Sequence, residues 1–230
     1  MTILHYELCG ADSAQVFSPH CWKSRMALEH KGLDYKTVAV PFTQVATLEG
    51  GDARRVPVIR DGDTVVEDSL AIAEYLDANY PDTPSVLGGP EAAALTRFVG
   101  NWSQRNLHPA VSKLAMLDIH DALADTDKAF FRRTRENTLG STLEEFSAKF
   151  PKDGAELGRA LEPFATTLQG QPYLGGKTPL FADYIVFGAL QWLRVTSPLD
   201  VLDKTSPVGE WFERLLDMYD GVGRSVPKAA

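Results

Sequence analysis

Apolar and polar residues change their spacing several times before residue 81, and beyond residue 90 a single spacing takes over. "TILHYEL" (2–8) is short and apolar at several positions and runs into the polar loop "CGADSAQVFS", the pattern of a strand and its exit. Over 19–31 the period becomes helical, with Trp22, Met26, Ala27 and His30 about one turn apart. Ser18 supplies an N-cap, Pro19 fits the first helical position and Gly32 suits the stop. "LDYKTVAV" (33–40) reads as a second strand, and "PFTQVATLEGGDARR" as a short helix with a glycine-rich exit. "VPVIR" and "TVVED" flank "DGD", two antiparallel strands around a tight turn. In "SLAIAEYLDANYP", Leu70, Ala73, Leu76 and Tyr80 make one helical stripe that Pro81 ends.

The order β-α-β-(α)-β-β-α within residues 1–81 describes a compact mixed sheet with helices available for both faces. "YPDTPSVLGGP" (80–90) then breaks the pattern with three prolines and two glycines, so 82–90 reads as a linker. From 91 to 230 strand signals nearly vanish. Periodicity predicts helices over 91–123, 127–150, 155–169, 180–196 and 207–220, an all-helical second domain. "FADYIVFGALQWL" is apolar around most of its circumference, as a central buried rod would be.

Composition narrows the function. The 230 residues are 44% hydrophobic and 23% charged, as in globular proteins. No apolar run reaches the roughly 20 residues of a membrane span. A net charge of −8 opposes polyphosphate backbones, so nucleic acid is not expected as a partner. Two cysteines cannot build a disulfide framework, and the N-terminal stretch lacks the pattern of a secretory leader. A reducing cytoplasm is the simplest location.

Three short motifs carry candidate chemistry, each with an ordinary structural alternative. In Ser18-Pro19-His20-Cys21 a helix start offers N–H groups and partial positive charge to a thiolate, while Ser18 is equally a plain cap. Val56-Pro57 opens a strand. A trans proline at a strand edge is the ordinary reading, and a cis bond would free the Val56 main chain for an extended peptide ligand. At Glu67-Asp68-Ser69 a strand meets a helix, where Ser69 can cap, the N–H groups can receive a carboxylate and Asp68 can pair with an ammonium. Those last two charges together are an α-amino acid head.

The order and spacing of "SPHCW", "RVPVI", "EDSLAIAEYLDANYP" and "FADYIVFGALQW" resemble the glutathione transferase superfamily over essentially the whole chain. The detailed motifs are most similar to the bacterial β-aryl-etherase group and the fungal class A transferases. The resemblance implies an α/β thioredoxin-like N-terminal domain, an all-α C-terminal domain, glutathione as co-substrate, no metal, a homodimer, and a role in detoxification or aromatic-compound metabolism. It makes Ser18 the donor to the glutathione sulfur, Val56 with a cis Pro57 the main-chain partner of the cysteinyl unit, and Asp68 and Ser69 the holders of the γ-glutamyl head. Arg55 is assigned to the glycyl end. The second, hydrophobic substrate is expected between Ser18 and the first long C-terminal helix, with Trp102, Leu107, His108 and Met116 as candidate walls.

Three points stay open. Leu180 stands where the superfamily has a Ser or Thr three residues before Asp183, so either Thr178 starts that helix earlier or Asp183 caps without a reciprocal partner. Cys21 is either a packed thiol or a redox group, alone or with Cys9. The competing activities are a glutathione-dependent peroxidase or thiol reductase, and a non-catalytic ligand-binding scaffold.

Overall fold

The computed structural model describes residues 2–51 and 53–230. Strands β1 (Ile3–Leu8), β2 (Tyr35–Val40), β3 (Val58–Asp61) and β4 (Thr64–Glu67) form one sheet in the order β2-β1-β3-β4. β1 runs parallel to β2, with Ile3 opposite Tyr35. It runs antiparallel to β3, with His5 opposite Ile59, and β3 and β4 form the hairpin expected around "DGD". The sheet is therefore the thioredoxin-like mixed type.

Alternation along β1 sends successive side chains to opposite faces. His5 and Glu7 point to helix α1 (Pro19–Lys31), where His5 Nε2 meets Ser24 Oγ at 2.7 Å and Glu7 takes a two-pronged grip from Arg25. Tyr6, on the other face, donates to Glu49 of a 3-10 segment, Phe42–Gly50, that also engages Arg60. That segment is where one short helix was expected; the chain there breaks at Glu49, whose φ is 51°. Helix α2 (Ser69–Asn79) packs beside α1.

Six helices follow: α3 (Pro90–Asp121), α4 (Asp125–Leu139), α5 (Leu143–Ala148), α6 (Ala155–Leu168), α7 (Phe181–Thr196) and α8 (Pro207–Gly221). The single helix predicted over 127–150 is in fact two. Gly140 closes α4 at φ 67°, and Thr142 opens α5 through a reciprocal capping box with Glu145, a stop and a start that the apolar period alone conceals.

α7 is the buried rod expected, packed against α1 on one side and α3 on the other. It starts at Phe181, so Thr178 does not begin it. Asp183 caps without a reciprocal side chain: its carboxylate accepts the N–H groups of Leu180, Leu174 and Gly175 and the indole N–H of Trp211. Burial pushes its pKa up despite these donors. The missing Ser or Thr is compensated by a loop, 174–175, that Asp183 ties to the helix start.

Candidate active site

Ser18 lies at the N-terminus of α1, 5% exposed, with Oγ accepting the Cys21 N–H at 3.4 Å. A hydroxyl has two acceptor lone pairs and one proton. Capping uses a lone pair, so the O–H is left to donate elsewhere. The two readings of Ser18 are therefore compatible in one geometry.

The Val56–Pro57 bond is cis. Among the described residues neither the N–H nor the C=O of Val56 has a main-chain partner. At the start of α2 the cap is Asp68 rather than Ser69: Asp68 Oδ1 accepts from Leu70 N at 2.9 Å and Ala71 N at 3.2 Å. The expectation that Ser69 caps is corrected by one position, because Asp68 adopts φ 83° and turns its carboxylate back over the first turn. Ser69 is 6% exposed, and its N–H and hydroxyl have no partner among the described residues. Arg55, largely exposed, pairs with Glu67 at 3.1 Å.

Two adjoining cavities bring most of these residues together. One, about 600 Å³, is lined by Val56, Pro57, Asp68, Ser69 and Arg55, with His20 and Lys23 of α1 and Asn101 and Gln104 of α3. The other, about 450 Å³, is lined by Ser18, His108 and Met116, with walls of Phe17, Phe42, Phe130, Phe131 and Trp192. His20, Arg55, Val56 and Gln104 face both. The first is the richer in charged and hydrogen-bonding side chains; the second is the one walled by Phe and Trp rings.

Trp102 and Leu107 line neither cavity. Gln104, His108, Ser112 and Met116 recur every four residues and form the inner stripe of α3, whereas Trp102 packs on the core from another side and Leu107 is fully buried. Pro109 lies within α3, directly after His108. Burial, then Lys23, lowers the His108 pKa to about 3, so this ring is neutral and is not a general acid at neutral pH. Its Nε2 is buried without a partner.

Several site residues went unpredicted. Lys23, 5% exposed, has its pKa lowered to about 8 by burial, with Asp68 pulling the other way. Its Nζ lies 3.1 Å from His20 Nδ1. An ammonium only donates, so Nδ1 accepts and the His20 proton sits on Nε2. Lys23 is three residues after His20 on α1, a spacing that puts the two on one helix face and could have flagged it. Phe130, Phe131 and Arg135 arrive on α4 and Trp192 on α7, brought in by packing that no local pattern announces.

The thiols are not at this surface. Cys21 is 1% exposed and Cys9 2%. Burial, then Glu7, pushes the Cys21 thiol up to about 12, and burial raises Cys9. Neither is poised as a thiolate. Among the described residues no cluster of His, Cys, Asp or Glu could hold a metal, and no helix is long and apolar enough to cross a membrane.

The glutathione S-transferase N-terminal domain family matches residues 14–84, and the C-terminal domain family matches 94–217. A glutathione S-transferase-like protein, ustS, of Aspergillus flavus is 28% identical over 213 residues, covering 78% of this chain and 75% of that protein. The crystal structure of the glutathione S-transferase CsGST63524 of Ceriporiopsis subvermispora, in complex with glutathione, superposes with a TM-score of 0.78 at 26% identity over the whole of both chains. That of glutathione transferase GSTFuA3 from Phanerochaete chrysosporium gives 0.75 at 27%, covering 96% of this chain and 92% of that one. The chain belongs to the glutathione S-transferase family, and its enzymatic class is glutathione transferase.

Proposed function

We propose that the protein binds glutathione in the polar cavity and directs its thiolate at an aromatic electrophile held in the adjoining one. The observation that carries this reading is the place of Ser18, whose oxygen caps α1 and which also lines the aromatic cavity, so that its one O–H can turn from the neighbouring Cys21 sulfur to a thiolate bound there. A free thiol titrates near 8.5, and each unit of depression needs about 1.4 kcal/mol of preference for the thiolate. One hydroxyl donor together with the N–H groups of a helix start can supply about one to two units.

In this reading the Val56 main chain pairs with the cysteinyl unit, Asp68 holds the γ-glutamyl ammonium, and Ser69 receives the neighbouring carboxylate. Arg55 takes the glycyl end. The buried Lys23 ammonium, which lacks a carboxylate partner among the described residues, adds a cation on the glutathione side. The thiolate's electron pair forms the new C–S bond as the leaving group departs with its own pair, or as the pair of a double bond shifts. Ser18 donates throughout and is never the nucleophile.

The aromatic walls favour an aryl ether or another aromatic compound, in keeping with a place near the β-aryl-etherase and fungal class A groups. We also propose a homodimer working in the cytoplasm on such compounds. A product screen by mass spectrometry, with glutathione and a panel of aryl ethers, halides, epoxides and hydroperoxides, tests the reading. A glutathione conjugate of an aromatic member is expected; reduction of hydroperoxides alone overturns it.

A further inference from the structure

The aromatic cavity has an unusual charge balance. Acidic residues outnumber basic ones by 31 to 23 in this chain. Yet the wall of this cavity carries Arg54, Arg55 and Arg135 and no Asp or Glu. Its two histidines, His20 and His108, have pKa values lowered chiefly by burial and are neutral at neutral pH.

Arg55 is compensated by Glu67, and Arg54 is exposed to water. Arg135 is neither. It is half-buried on α4, its guanidinium carbon 4.9 Å from the centre of the Phe131 ring, and among the described residues it makes no ion pair and no side-chain hydrogen bond. Burial alone lowers its pKa, with no acid opposing.

The acids nearby are already engaged. Glu136, the next residue, accepts from Arg132 at 2.9 Å, and Arg132 also grips Glu144. Asp127, on the same helix, accepts the N–H groups of Phe42 and Thr43 and the Thr43 hydroxyl. A guanidinium has five donors in a planar fork shaped for a carboxylate. Partly removing it from water without a partner is costly, and an anionic ligand would offset that cost.

Resting on the reading of this cavity as the electrophile's, we propose that Arg135 selects an aromatic electrophile bearing an anionic group, a carboxylate in the simplest case. The ring lies among Phe42, Phe130, Phe131 and Trp192, and the anion meets the Arg135 fork. The residue thereby sets specificity without touching the reacting atoms. This narrows the substrate class from hydrophobic aromatics to aromatic acids.

Calorimetry with the whole protein tests it, using 3-nitrobenzoate and its neutral analogue 3-nitrobenzamide, each with and without saturating S-methylglutathione. The benzoate is expected to bind about tenfold more tightly than the amide, the effect of one charged hydrogen-bonding contact. Arg135→Met should erase that preference while leaving the amide unchanged, and Arg135→Lys should restore part of it. Equal binding of the two probes in the wild type, or a preference that survives Arg135→Met, overturns the proposal. So does loss of benzoate binding when S-methylglutathione is present, which would give Arg135 to a glutathione carboxylate. Absence of a glutathione conjugate from every aromatic member of the panel and from 4-chloro-3-nitrobenzoate, with the binding preference intact, would defeat the catalytic reading and leave Arg135 as the anion-binding residue of the cavity.

Discussion

Gly188 of α7 lies against the carbonyl of Pro19, so close that a Cβ there would fall 2.3 Å from the oxygen. The central helix of the second domain thus touches the first residue of the helix that begins beside Ser18. Gly188→Ala must move backbone, because the neighbour is a carbonyl rather than a flexible side-chain tip. Overpacking of this kind costs about 1–3 kcal/mol, more than the roughly 1 kcal/mol that alanine gains in helix propensity. Thermal unfolding should show a lower Tm, and the glutathione thiol pKa should shift with it. An unchanged or higher Tm would show that the contact relaxes freely.

Asp68 is given two tasks, capping α2 and pairing with an ammonium, and substitution separates them. Asp68→Asn keeps a capping oxygen and tolerates positive φ, but loses the charge. Asp68→Ala loses both. We expect the Asn variant to melt near the wild type yet bind glutathione about tenfold more weakly, and the Ala variant to lose in addition about 1 kcal/mol of stability. Wild-type glutathione affinity in Asp68→Asn would remove the ammonium contact from the account.

Lys23 makes a pH-dependent prediction. Burial lowers its folded pKa to about 8, well below the value near 10.4 of an unfolded lysine. The unfolded chain therefore binds more protons between those values, so the penalty of burying Lys23 is full below about 8 and is relieved as pH rises towards 10.4. A bound carboxylate would raise the folded pKa. S-methylglutathione, which has no thiol to titrate, should then bind with proton uptake near pH 8, read from the dependence of binding enthalpy on buffer ionisation. Lys23→Met should reduce the uptake to the part that belongs to the ligand's own amine beside Asp68; an uptake equal to that of the wild type assigns the proton elsewhere.

The two cysteines should be inert in the folded protein. With Cys21 at 1% exposure and a pKa of about 12, iodoacetamide should label neither Cys21 nor Cys9 at neutral pH until denaturant is added. Fast native labelling of Cys21 would revive a thiol-based activity.

Much of this molecule is legible in its sequence because local chemistry is decisive there. Ser18-Pro19 and Gly32 start and stop a helix by caps that depend on neighbours in the chain. The β3-β4 hairpin follows from a tight turn between two short apolar runs. Legibility fails where an apolar period runs across a hidden stop, as at Gly140, or where two adjacent residues both suit a cap, as Asp68 and Ser69 do. It fails more deeply in the aromatic cavity. Trp102 is a large aromatic on the right helix but the wrong side, while Arg135 and Trp192 reach the cavity only through the packing of α4 and α7 around α3.

The direct test of the central claim is the pKa of the glutathione thiol on the protein, followed by ultraviolet thiolate absorbance in the wild type and in Ser18→Ala. The account predicts a bound thiol about one to two units below the free value near 8.5 in the wild type and close to the free value in the variant, which still binds glutathione. A wild-type thiol that titrates like free glutathione, or a depression that survives Ser18→Ala, would contradict it and leave Ser18 as a helix cap alone.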